Sequence, residues 1–206
     1  MKKTQLNQYY DVVIVGSGPA GLGAAFKLAE DSSLSILLIE KKKISSGGLR
    51  NDCKQNYTFP VGFPLEYWEK KEAHQLLEEV KKHLNPKMEK RADIQKYVKR
   101  ADKIGAQMLV IDQAHVGTDK SSQLINSLIK QLESLGVDIA LETEVLSLEK
   151  SQKKINLQNG ESISFKNIIL APGRADYEWL QEQMDTLHVS YNDNICLLYT
   201  SPSPRD

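Results

Sequence analysis

Cysteine is scarce in this chain. Of 206 residues only Cys53 and Cys196 are cysteines, which excludes a disulfide framework and a Cys-x-x-Cys dithiol or zinc cluster. Charge of one sign is lacking too. Lys+Arg and Asp+Glu are both 27, so no broad field argues for nucleic acid or an anionic membrane as a partner. No uninterrupted apolar run reaches the roughly 18 residues of a membrane span. The opening residues MKKTQLNQYY are basic but carry no apolar h-region, so no secretory signal is read there, and the expected compartment is the cytoplasm. Internal repeats and low-complexity tracts are also missing. What remains is an ordinary globular composition, with 40% hydrophobic and 26% charged residues.

The pattern of what is present is α/β. Residues 11–16, DVVIVG, read as a short buried strand ended by glycine. Residues 19–30 read as a helix with Pro19 in its first turn, where a missing N–H costs nothing. Residues 35–39, SILLI, read as a second buried strand, completing a right-handed βαβ unit. A Ser-, Gly- and Asn-rich loop over 44–64 follows. Helical periodicity then covers 66–84, 92–103 and 119–135, with a strand expected at 108–112, MLVID. A strand at 137–141, a β-meander over 143–165 with turns at Ser151-Gln152 and Asn159-Gly160, and a final strand at 167–171 complete the reading.

Residues 16–21 are GSGPAG, a G-x-G-x-x-G at a strand end that opens a helix. Glu40 closes the second strand, about 20 residues on, where dinucleotide-binding units carry an acid. Gly16 allows the tight turn, Gly18 lets a pyrophosphate approach the backbone, and Gly21 lets the helix pack close to the sheet. The amides of Ser17, Ala20 and Gly21 are the expected phosphate donors, because Pro19 has none. Glu40 can accept two hydrogen bonds from a ribose diol, and its charge disfavours NADP. Of the following lysines, Lys41 is kept as a phosphate-binding candidate, although a charge run after a strand is usually a solvated face.

The fingerprint alone fits FAD or NAD. Its place near the start of the chain, with no substrate domain before it, favours FAD. The later half, with its helix, strand, meander and apolar strand ending in LAPGR, resembles the second segment of glutathione-reductase-type flavoproteins. Pro172 stands where those proteins usually have Thr. The stretches SGGLRNDCK, YTFPVGFP, AHVGTDKSSQLI, LETEVLSLE and NIILAPGR together resemble a family of bacterial FAD-dependent dehydrogenases, over nearly all of residues 9–195. That resemblance implies FAD as cofactor and a flavoprotein oxidoreductase whose small-molecule substrate and electron acceptor it does not specify. It implies a whole protein about twice this length, and a strand order 137–141, 35–39, 11–16, 167–171. It places Gly48 and Arg50 near pyrophosphate and flavin, Glu144 and Val145 against adenine through their backbones, and Ala171 and Gly173 at the turn beside the first strand.

The expected organisation is a discontinuous FAD-binding domain over 1–66 and 107–195, with a helical insertion over 67–106. Residues 196–206, CLLYTSPSPRD, look like a translated transposon-type sequencing adapter and are set apart from the fold. No catalytic residue and no metal ligand is assigned. Cys53 reads as a loop cysteine, His115 as structural, Thr118 and Asp119 as helix caps, and Tyr67 and Trp68 as anchors of the 66–84 helix. An NAD-binding dehydrogenase domain and a non-catalytic flavin-binding redox module are the alternatives.

Overall fold

A computed structural model describes residues 6–43, 54–61, 63, 65–88, 94–108, 110–173 and 176–192. The short apolar runs form strands and the periodic segments form helices. In chain order these are β1 (Tyr9–Val15), α1 (Pro19–Asp31), β2 (Ile36–Ile39), β3 (Lys54–Asn56), α2 (Lys70–Leu84), α3 (Ile94–Asp102), β4 (Gln113–His115), α4 (Thr118–Ser134), β5 (Asp138–Ala140), β6 (Val145–Glu149), β7 (Lys154–Leu157), β8 (Ser162–Leu170) and α5 (Tyr177–Leu187).

Six strands make one sheet in the order β5-β2-β1-β8-β7-β6. The first four are parallel, with Val12 to Val15 of β1 opposite Ile36 to Ile39 on one side and Asn167 to Leu170 on the other. β7 and β6 continue antiparallel from the first half of β8. This is the expected Rossmann-like parallel sheet with a β-meander. Ile14, Leu37, Leu38 and Val13 are wholly buried, as strands covered on both faces require. On one face Val12, Ile14, Ile36 and Leu38 pack on Leu22, Ala25 and Phe26 of α1 and on Leu128 and Leu132 of α4. On the other, Val13, Val15, Leu37 and Ile39 meet Val145, Leu148, Ile155 and Leu157 of the meander, with Trp179 and Leu187 of α5 packed against them. Each such side chain contributes roughly 1.5–3 kcal/mol of burial.

Local chemistry sets the element ends. α4 stops where Leu135 and Gly136 turn the chain: Gly136, at φ 85°, and Val137 donate to the carbonyls of Glu133 and Leu132, pairing the helix's last acceptors and delivering Val137 straight into β5. Asn159-Gly160 closes the β7–β8 turn, with Gly160 at φ 84°. At the far end of the sheet the Tyr10 hydroxyl, on β1, donates to Asp138 Oδ2, on β5, at 2.7 Å. The two strands flank β2, so this bond ties three strands together. Burial and the Asp138 carboxylate push the Tyr10 phenol up to about 12.

Several expectations are corrected. No strand forms among the described residues of 108–112, of which residue 109 is not one; instead Gln113–His115 pairs with Lys54–Asn56 as a two-stranded ribbon. Apolarity marked the run, but the backbone partner decided: Tyr57 N–H donates to the Asp112 carbonyl at 2.7 Å, one residue ahead of the ribbon. The 66–84 helix begins only at Lys70. The stretch before it turns so that Phe63 meets Trp68 edge-on at 5.4 Å. The last meander strand and the 167–171 strand are one continuous β8, which passes from antiparallel pairing with β7 to parallel pairing with β1. Gly117, not Thr118 or Asp119, occupies the cap position of α4. No helix among the described residues is long and apolar enough to cross a membrane.

Candidate functional site

The site lies where β1, β2 and β8 end side by side. β1 leaves the sheet through Gly16, at φ 97°. A Cβ on Gly16 would lie 2.2 Å from the Ala171 carbonyl oxygen, and one on Gly21 would lie 1.9 Å from the Gly16 carbonyl oxygen. Both contacts are with backbone, so neither yields to a side-chain rotation. The glycine turn, the first turn of α1 and the end of β8 therefore touch backbone to backbone. Ala171 is held there by its N–H, which donates to the Val15 carbonyl at 2.8 Å.

α1 starts at Pro19 with Gly18 as its cap residue. No side chain caps it and no acidic residue stands in its first turn. The first intrahelical bond is Leu22 N–H to the Gly18 carbonyl, 2.9 Å. The amides of Ala20 and Gly21 precede it, at the positive end of the helix. Among the described residues no side chain caps that end.

Glu40 follows β2 and is 8% exposed. Its Oε2 accepts the Ser17 hydroxyl at 2.6 Å and the Ser17 N–H at 3.1 Å, while Oε1 accepts the Lys42 N–H at 2.9 Å. Ser17 thus has a different task from the one read in the sequence: its amide is directed to the acid rather than to a phosphate. The β2 end is fixed from the other side as well, since Glu40 N–H donates to Ala140 and the Glu40 carbonyl accepts from Thr143 N–H at 3.0 Å. A carboxylate offers about four acceptor directions. Three are used, and Oε1 keeps capacity for an incoming hydroxyl.

Thr143 brings the next residues, Glu144 and Val145, alongside Glu40. The Glu144 carbonyl accepts from Gln158 N–H at 2.9 Å, and Val145 is buried at the start of β6. Lys41 makes an ion pair with Asp176, at the start of α5. Gly173, at φ 75°, stands between β8 and that helix. The structure therefore gathers Gly16, Ser17, Gly18, Pro19, Ala20, Gly21, Glu40, Lys41, Glu144, Val145, Ala171 and Gly173 around one end of the sheet. Gly48, Arg50 and Cys53 lie outside the described residues. Asp176 was not legible as a site neighbour, because only the strand order brings it opposite Lys41. His115 belongs to the ribbon, opposite Lys54.

The family profile of pyridine nucleotide-disulphide oxidoreductases matches residues 10–178. The chain is 28% identical over 190 residues to the NADH:fumarate oxidoreductase of Klebsiella pneumoniae, covering 80% of this chain and 20% of that protein. It is 40% identical over 63 residues to an uncharacterized protein of Methanosarcina barkeri, covering 28% of this chain and 16% of that one. Among solved structures, an L-amino acid deaminase from Proteus myxofaciens, in complex with anthranilate, superposes with a TM-score of 0.54 at 18% identity, over 92% of this chain and 50% of that one. The glycine oxidase of Geobacillus kaustophilus superposes with a TM-score of 0.54 at 16% identity, over 89% and 60%. At those identities the likeness is one of fold. The chain spans a fifth or less of the two curated relatives' length and 50% and 60% of the two structural neighbours.

Proposed function

As the chain belongs to the pyridine nucleotide-disulphide oxidoreductase family, we propose that it holds the ADP half of FAD in a flavoprotein oxidoreductase. The observation that carries this is Glu40: a nearly buried carboxylate, locked by Ser17 and Lys42, beside an uncapped helix end. The donors of that end suit a diphosphate and the acceptor suits a ribose diol, so the residues present fit the group. Ala20 and Gly21 would donate to the diphosphate. Glu40 would bind the ribose, with Ser17 holding its carboxylate in place. The backbones of Glu144 and Val145 would border the adenine, and Ala171 and Gly173 would lie beside the path towards the flavin ring, with Gly48 and Arg50 as further candidates.

When bound, the flavin supplies the redox chemistry, taking a hydride or electron pair from a donor and passing it to an acceptor. This chain's residues bind and orient it. The meander between β5 and β8 favours FAD over NAD, through its resemblance to glutathione-reductase-type flavoproteins. Disulphide chemistry is not part of the proposal, since the sequence holds no Cys-x-x-Cys. Residues 67–106 are read as a helical insertion. It is anchored on α1, where the His83 and Phe26 rings lie 4.2 Å apart and Lys27 meets Glu79 at 3.6 Å.

Equilibrium binding of ADP, FAD and riboflavin tests the assignment. Glu40→Gln is expected to weaken ADP and FAD about 10- to 100-fold, the worth of one or two hydrogen bonds to a charged group. Riboflavin, which lacks the adenosine ribose, is expected to be unaffected. Unchanged ADP affinity would remove Glu40 from the site.

A further inference from the structure

The pair Lys41–Asp176 joins the chain that follows β2 to the chain that follows β8. Lys41 lies two residues past the end of β2 and Asp176 six past the end of β8, and these strands are the two neighbours of β1. Their ends are about 10 Å apart, two strand spacings. A bond between them links the two strands that flank β1, whose own end turns through Gly16 and Ser17 into α1. α1 packs on one face of the sheet and α5 on the other. Asp176 supplies a second observation. It occupies the cap position of α5, where an aspartate ordinarily bonds the first-turn amides, yet it makes no cap bond and its carboxylate goes to Lys41. Both side chains are partly withdrawn from water, 36% and 21% exposed.

We infer that Asp176 is a resident counter-ion of Lys41 and competes with the dinucleotide's diphosphate for it. This rests on the ADP-site reading above. In the ligand-free chain the carboxylate holds the ammonium and adds negative charge at the rim. When a diphosphate arrives, Lys41 changes partner and its pair with Asp176 opens. Asp176 thereby lowers affinity for anionic ligands and leaves an uncharged one untouched, so it acts on selectivity by holding Lys41 back.

Calorimetric titration of the 206-residue chain with ADP and with riboflavin tests this, for wild type, Asp176→Asn, Lys41→Gln and the double variant. Asp176→Asn is expected to tighten ADP about three- to tenfold at low salt, with no gain for riboflavin, and the gain is expected to shrink at high salt. In the Lys41→Gln background Asp176→Asn is expected to change nothing, and Asp176→Glu is expected to keep wild-type affinity. Should Asp176→Asn fail to fold, Asp176→Ser keeps an oxygen at the cap position and serves in its place. Equal or weaker ADP binding in Asp176→Asn, or the same gain with and without Lys41, overturns the inference while leaving the ADP site standing. A folded wild-type chain that binds no ADP overturns both.

Discussion

At the scale of single residues, two glycines two positions apart on helix α1 separate space from conformation. Gly21 faces the Gly16 carbonyl, whereas nothing lies within 4 Å of a Cβ on Gly23. Gly21→Ala is expected to cost 3 kcal/mol or more, because the clash is with backbone (overpacking costs about 1–3 kcal/mol even where side chains can yield). Gly23→Ala is expected to stabilise by about 0.5–1 kcal/mol. Paired urea melts check both, and equal effects would contradict the close approach. Tyr10 gives a pH signature. Its phenol titrates near 12 in the folded chain, above the ordinary 10.0. Its contribution to stability is therefore complete below pH 10 and lost as pH rises through 12. Tyr10→Phe is expected to be less stable than wild type below pH 10.0, with the difference narrowing above it. A pH-independent difference would place the stabilisation elsewhere. The glycines and Glu40 were legible in the sequence because each is demanded by local geometry at a fixed spacing. The partnership of Ser17 with Glu40 was not, because it depends on how the end of β2 sits against the turn.

At the scale of elements, the βαβ unit and the strand order followed from short apolar runs and periodic helices, which are local signals. The errors fell where a partner decided the outcome. MLVID has the composition of a buried strand, yet Met108 is exposed and the ribbon forms from the more polar Gln113–His115. β8 was divided in reading because its antiparallel pairing with β7 ends at Ser164, where its parallel pairing with β1 begins, a tertiary event without a sequence mark. α5 was not anticipated as part of the core. Its Gln183 is buried and accepts the Leu148 N–H at 3.0 Å, on β6, the edge strand next to β7. Gln183→Ala is expected to cost about 1–3 kcal/mol by leaving that amide buried without its acceptor, read as a shift of the denaturation midpoint. A loss below about 0.3 kcal/mol would mean that β6 finds another acceptor.

At the scale of the whole molecule, the second half of β8 pairs with β1 alone among the described strands, and Ile168, Ile169 and Leu170 along it are only partly buried. Such an edge invites pairing with another chain. The 206-residue chain is expected to self-associate with rising concentration in sedimentation velocity, and a monomer throughout a hundredfold concentration series (about two decades in mass action) would contradict that. The central claim concerns the other end of the sheet: one glycine turn, one uncapped helix and one clamped acid form an ADP site. The most direct measurement is a crystal structure of the chain with FAD. The expected result has the adenosine ribose hydroxyls hydrogen-bonded to Glu40 and the diphosphate facing the amides of Ala20 and Gly21. A diphosphate bound away from that turn, with Glu40 still engaged only by Ser17 and Lys42, would contradict the account.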